Sequence, residues 1–262
     1  MKFFLANLCP FFASDYISLF CDGEPDVEGF NDAIDEVFRL HPLKKRILIV
    51  GEERVTKSLS NYIDVIPSLS ITHYPCIMFY MNRSQMETVR VLQLPKVPAG
   101  YELGSANPDK DAEIITKTWR HARPNEMDQT KLQIDINLYA KAADMQKLIL
   151  FYFYVFFRAK LRNFPSSCVR YNGNPVGFEM MDATGMLNHL FVLEQHRKKG
   201  LGSIIELDLA KKIINNGCKV YKCVELYNKT VLAGSKQSRF WSSVKDNDGN
   251  DVLIVFSIVV KE

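Results

Sequence analysis

The chain has 262 residues, 47% of them hydrophobic and 24% charged, and a formal net charge of +3. These values suit one large or two small globular domains, exclude the positive excess that nucleic acid binding calls for, and leave no run near the ~20 apolar residues of a membrane span. Six scattered cysteines (Cys9, Cys21, Cys76, Cys168, Cys218 and Cys223) form no C-x-x-C pair and no zinc-spaced Cys/His cluster, so a reduced compartment and no metal are expected.

The first segment, MKFFLANLCPFFASD, is apolar but interrupted by Asn7 and Pro10. That predicts a buried strand or helix rather than a signal peptide, and it lacks the Arg- and Ser-rich character of a transit peptide. An intracellular protein is expected, mitochondrial or cytoplasmic. In DVEGFNDAIDEVFRL, Val27, Phe30, Ile34, Val37 and Phe38 have helical spacing. KKRILIVGEE reads as a strand ended by Gly51, and CIMFYMN and ETVRVLQL as β-rich runs.

GEERVTKS, Gly51–Ser58, falls one residue short of the nucleotide-binding pattern G-x-x-x-x-G-K-[ST]. Thr56 stands where that loop wants glycine, and Glu52 and Glu53 would repel phosphate. A strand–turn–helix with a solvated Lys57 is the better reading. PKVPAG, Pro95–Gly100, reads as a linker. The boundary placed there gives an α/β domain over 1–96 and a second domain over 97–262.

The second domain starts with a predicted strand, a turn at Asn107-Pro108 and a helix from about Asp109. LYAKAADMQKLILFYFYVFFRAKL predicts another helix, with LILFYFYVFF as a buried core segment. SSCVRY, PVGFEMM and MLNHLFVL are three strands joined by turns at NGN and DATG. GSIIELDLAKKIINNG is a helix, with Leu201, Ile205, Leu209 and Ile213 every four residues and Gly217 at its C-terminal cap. KVYKCVEL is a strand, KTVLAGSKQSRFW a helix and DVLIVFSIVV a last strand. The expected fold is α/β (α+β): a mixed, mostly antiparallel sheet with helices on both faces.

The chemistry concentrates in LEQHRKKGLGS, Leu193–Ser203, between a strand and that long helix. A helix N-terminus offers unpartnered N–H groups and the positive end of a dipole, which suits phosphate. Gly200 and Gly202 let a pyrophosphate approach the backbone. Arg197, Lys198 and Lys199 add positive charge, and Ser203 a hydroxyl. The preceding strands are joined by tight turns, and no acidic residue closes a second strand about 20 residues on. Coenzyme A therefore fits better than a dinucleotide.

RKKGLG after an apolar strand resembles the acyl-CoA loop of the GNAT superfamily, [RQ]-x-x-G-x-[GA]. More narrowly, NFPSSCVRYNGNPVGFEMMDATGMLNHLFVLEQHRKKGLG is similar to the glycine N-acyltransferase family in its F-P-S-x-C start, G-x-P-V turn and M-D-x-T-G corner. The resemblance is closest over 163–242, weaker over 98–162 and loose over 1–95. Met127–Arg158 has no counterpart.

The resemblance implies a GNAT fold whose fourth and fifth strands splay to admit the thioester arm. Leu190, Phe191 and Val192 would bond the pantetheine through their backbone. Arg197, Lys198, Lys199, Gly200, Leu201, Gly202 and Ser203 would hold the pyrophosphate. Asn228, at the end of the fifth strand, would lie near the cofactor or serve as a helix N-cap. The implied activity is acyl transfer from acyl-CoA to a small amine or amino acid such as glycine. The family's glutamate after T-G is Met186 here, which cannot take a proton. His189 is then the candidate base, although strand alternation puts it on the opposite face from Met186 unless a bulge intervenes. The residue aligned with the tyrosine acid of many GNAT enzymes is Ser235. The rival readings are a non-catalytic acyl-CoA binder, favoured by Met186, and a nucleotide-binding module at Gly51–Ser58.

Overall fold

The computed structural model describes residues 3–7, 15–40, 42–43, 46–118, 161–182 and 184–262. Its first half alternates strand and helix: β1 (Phe3–Asn7), β2 (Asp15–Cys21), α1 (Val27–Leu40), β3 (Arg46–Glu52), α2 (Glu53–Asp64), β4 (Leu69–Tyr80) and α3 (Arg83–Val91). After the linker come β5 (Tyr101–Gly104), α4 (Ala112–Lys117), β6 (Ser166–Tyr171), β7 (Asn174–Met181), β8 (Leu187–Val192) and a 3-10 turn over Glu194–His196. α5 (Leu201–Asn215), β9 (Tyr221–Glu225), α6 (Lys229–Gln237), β10 (Ser242–Ser243) and β11 (Leu253–Lys261) complete the fold. The helix predicted over LYAKAADMQKLILFYFYVFFRAKL lies, except for its last residue, outside the described residues.

Two sheets result. β5-β6-β7-β8 is an antiparallel meander. The larger sheet runs β1-β2-β3-β11-β4-β10, with β9 on the other edge of β4. The last strand of the chain is thus seated between two strands of the first half, antiparallel to both. The linker at Pro95–Gly100 is free of helix and strand, yet the sheet crosses it: β9, β10 and β11 all join β4. Among the described residues, 1–96 has no sheet of its own.

α1 and α2 close one core with Phe30, Ile34, Leu59 and Ile63 against Ile47, Ile49 and Val259. Of the five predicted α1 contacts, Val27 faces solvent. Gly51 does not end β3; it sits inside the strand, opposite Val255. A Cβ there would come within 2.7 Å of the Leu19 carbonyl oxygen, so only glycine lets β2 and β3 pack as they do.

α5 joins the two sheets. Leu201 and Ile205 pack on Val169 and Val176 of the meander, while Leu209, Ile213 and Ile214 pack on Ile77, Phe79 and Val89. All four residues of the predicted helical stripe are buried.

The expectation for ETVRVLQL was wrong: Glu87–Val91 belongs to α3. Asn82 accepts from the Gln85 N–H at 2.9 Å, and Gln85 accepts from the Asn82 N–H at 2.9 Å. This capping box nucleates a helix in spite of Thr88, Val89 and Val91. Among the described residues, no helix is long and apolar enough to cross a membrane.

Candidate functional site

The M-D-x-T-G corner organises one end of the site. The buried Asp182 carboxylate accepts from the Thr184 N–H (2.9 Å), the Thr184 hydroxyl (2.5 Å), the Met186 N–H (3.2 Å) and the Asn188 amide (3.2 Å). Tyr221, the first residue of β9, donates its hydroxyl to the Thr184 carbonyl and so ties the start of β9 to the corner before β8. Beyond that tie the strands part. β8 pairs with β7 and β9 with β4, and among the described residues no ladder joins β8 to β9. The Leu226 N–H donates to the Pro75 carbonyl (3.0 Å), holding the far end of β9 against β4. The gap expected between the fourth and fifth strands of a GNAT fold is therefore present.

The basic loop lies at the open end of β8. Lys198 and Gly200 both have left-handed φ, +59° and +73°. Such a backbone turns successive N–H groups toward one concavity. Gly200 is the N-cap of α5 and makes no side-chain cap bond, and among the described residues no side chain is bonded to the first-turn N–H groups of Leu201, Gly202 and Ser203. A Cβ built on Gly200 or Gly202 meets nothing within 4 Å. Arg197, Lys198, Lys199, Gly200 and Ser203 are exposed.

Four details refine the expected cofactor contacts. The Leu201 side chain is 1% exposed and packs inward, so only its N–H faces the loop. The Val192 carbonyl already accepts from Arg197 Nε at 2.9 Å, which aims that guanidinium along the end of β8, 5.8 Å from the centre of the Phe191 ring. Asn228 occupies the N-cap position of α6 but forms no side-chain cap bond. Leu190 and Val192 turn their side chains to the α5 core, and Phe191 stacks on Phe178 at 5.9 Å.

The catalytic candidates are distributed over different parts of this arrangement. β8 carries the bulge on which the reading of His189 depended. The register passes from Phe178↔Phe191 to Met180↔Asn188, so His189 and Leu190 together face Glu179. His189 has φ +61°. Its ring lies edge-on to Phe178 at 5.3 Å, with Nε2 3.4 Å from the Thr118 hydroxyl at the end of α4. Ser235 is buried on α6. Met186 puts a thioether, not a carboxylate, at the position after T-G.

Two groups escaped the sequence reading. Tyr101 bonds His196 Nδ1 at 2.8 Å and packs 4.8 Å from Tyr171, which fixes the 3-10 turn ahead of the basic loop onto β5. A cavity of about 520 Å³ opens beside it, bordered by Lys110, Ile114, Tyr171, Val176 and His196. No linear pattern links Tyr101 to His196.

The second is a buried charged cluster on the α5 side of the gap. Glu206 of α5 pairs with Lys222 of β9 and accepts from Trp241 Nε1 at 2.9 Å. Lys222 also lies 4.3 Å over the Trp241 ring. Glu179 of β7 joins them, 2% exposed, and its Oε2 has no hydrogen-bond partner among the described residues. Burial pushes its carboxyl well above the usual range; the Glu206 charge adds to that and Lys222 opposes it. Ser167, opposite Glu179 in register, has a buried hydroxyl with no hydrogen-bond partner among the described residues. A lone glutamate between Phe178 and Met180 in an apolar strand was the available signal.

The loop of a nucleotide-binding module is absent at Gly51–Ser58. β3 passes directly into α2, Thr56 is buried with its hydroxyl on the Glu53 carbonyl at 3.0 Å, and Lys57 pairs with Glu53 at 3.6 Å. Among the described residues no group of three His, Cys, Asp or Glu could hold a metal.

No family model matches the chain. Its architecture recurs in solved structures at low identity. A Drosophila protein superposes with a TM-score of 0.67 at 12% identity, over 98% of this chain and 73% of that one. The tandem GNAT protein from the clavulanic acid biosynthesis pathway gives 0.56 at 12%, over 95% and 75%. A GCN5-related N-acetyltransferase from Kribbella flavida gives 0.50 at 10%, over 94% and 81%. The chain has the GNAT fold, and the likeness spans both of its halves.

Proposed function

We propose that the protein is an acyl-CoA-dependent N-acyltransferase that moves an acyl group from a coenzyme A thioester to the amine of a small amino acid such as glycine. The observation that carries this reading is the uncapped N-terminus of α5, with left-handed Lys198 and Gly200 and with Arg197 and Lys199 beside it, at the mouth of the β8–β9 gap. The first-turn N–H groups and the basic side chains suit a pyrophosphate. The open edge of β8 suits the amide groups of a pantetheine arm. The bulge at His189 and Leu190 turns the backbone where a thioester carbonyl would lie, and an N–H there can hold the developing oxyanion. His189 takes the amine proton, a step worth ~10²–10⁴-fold.

A second reading keeps the same ligand without the reaction. Met186 and Ser235 stand where the resembled enzymes carry their base and acid, which favours an acyl-CoA binder. Thiol release from acetyl- and benzoyl-CoA with a panel of amino acids separates the two. Amine-dependent release that drops in His189→Ala supports the transferase. Binding without release from any pair supports the binder.

A further inference from the structure

An arm that enters between β8 and β9 meets an inner end, and one side chain builds it. Thr184 precedes Leu187, the first residue of β8, and Tyr221 is the first residue of β9. The Tyr221 hydroxyl donates to the Thr184 carbonyl, so the side chain reaches from the start of one strand to the corner that leads into the other. From there β8 stays with β7 and β9 with β4, and the basic loop follows the far end of β8. The gap therefore has its mouth at the basic loop and Tyr221 across its inner end.

Both sides of this tie are anchored. Val220, just before Tyr221, accepts from the Met81 N–H at 3.0 Å, which fixes the start of β9 to the end of β4. Across the gap, the Gly185 N–H donates to the Asp182 carbonyl and the Asp182 N–H to the Met186 carbonyl, both at 2.9 Å. The ring rests against that corner: a Cβ built on Gly185 would lie 3.7 Å from Tyr221 Oη and 3.8 Å from Cε1. Lys222 pairs with Glu206 of α5, and Val224 packs in the core with Leu209. Strand alternation turns Tyr221 away from that face, and its ring stays half-buried at the corner.

We infer that the Tyr221 ring is the stop at the inner end of the gap and limits the transferase to short acyl groups. This rests on the acyl-transfer reading above. With the pyrophosphate at α5 and the thioester carbonyl at the His189–Leu190 bulge, the acyl chain continues inward toward the corner. The strand from Leu190 back to Leu187 spans ~10 Å. An acetyl or butyryl group fits in that length. A dodecanoyl chain overruns it and meets a ring that its own hydrogen bond holds in place.

The test uses the full chain with its best amine and acetyl-, butyryl- and dodecanoyl-CoA, in wild type, Tyr221→Phe and Tyr221→Ala. Thiol release gives kcat/KM for each donor. Calorimetric binding of coenzyme A, which carries no acyl group, confirms that each variant is folded and stays within about threefold. In wild type, dodecanoyl-CoA is expected to fall at least about 10-fold below butyryl-CoA in kcat/KM. Tyr221→Ala removes the stop and raises the dodecanoyl-to-acetyl ratio at least about 10-fold; Tyr221→Phe keeps the ring and leaves the ratio within about threefold. Tyr221→Leu, whose side chain is shorter than the ring, shifts the ratio in the same direction as alanine and replaces it where Tyr221→Ala fails to bind coenzyme A. A wild type that uses dodecanoyl- and acetyl-CoA equally, a ratio unchanged in the truncated variant, or a ratio raised as much in Tyr221→Phe overturns the ring as the stop and leaves acyl transfer standing. A wild type that binds coenzyme A but releases no thiol from any donor overturns acyl transfer itself, and this role with it.

Discussion

At one strand-to-helix junction, Glu52 ends β3 and Glu53 begins α2 with no residue between them. At the other, β8 reaches α5 only after residues 193–200, with two left-handed residues on the way. Both follow an apolar strand and both read G-x-x-x-x-x-K or R-K-K-G-x-G, patterns that suggest phosphate. The first carries two carboxylates at the positive end of its helix, where they satisfy the dipole themselves. The second carries Arg197, Lys198 and Lys199 and no acidic side chain in the first turn. Its glycines differ as well. Gly51 is glycine because a carbonyl lies against it; Gly200 and Gly202 face open space. A motif with small residues and a lysine marks an anion site only where the backbone leaves its N–H groups unused.

That contrast breaks most visibly at Gly202. Gly202→Glu puts a carboxylate into open space at a first-turn position that favours the helix dipole, so the fold should hold while coenzyme A affinity falls about 10²-fold, or ~2.7 kcal/mol. Calorimetric titration checks it. Gly200 is a poorer probe, because any side chain at φ +73° is strained whatever it does to the ligand. Gly51→Ala should do the reverse. It forces the strands apart and costs about 1–3 kcal/mol, seen as a lower urea midpoint, with coenzyme A affinity unchanged. Gly202→Ala should raise stability by about 0.5–1 kcal/mol through the unfolded chain. Smallest is Lys57→Ala, which removes an exposed ion pair worth under ~0.5 kcal/mol and should alter no binding.

The second half of the fold was legible because local chemistry agreed with the tertiary outcome there. The turn between β6 and β7 has Asn172 and Gly173 at left-handed φ, where those residue types are at home, and the four-residue stripe of α5 is its buried face. The first half was less legible. β2 went unread, and α3 looked like a strand because β-branched residues outweighed a two-residue capping signal. The seat of β11 between β3 and β4 depends on pairings across most of the chain, which no window of sequence contains.

The site divides in the same way. The basic loop declares itself by type and spacing. The bulge at His189 appears only in the register of β7 against β8, and Glu179 gains its raised carboxyl from burial in the fold, with Glu206 adding to the shift and Lys222 opposing it. The pairing of Asp111 with Arg170 is equally silent in sequence, although it anchors the start of α4 to β6.

The central claim is that the α5 junction holds a pyrophosphate. The most direct measurement is calorimetric titration of the wild-type chain with coenzyme A and, separately, with pantetheine, which has the arm and lacks the phosphates. The account predicts clear binding of coenzyme A and at least ~10²-fold weaker binding of pantetheine. Equal affinities, or no binding of coenzyme A at all, would contradict it.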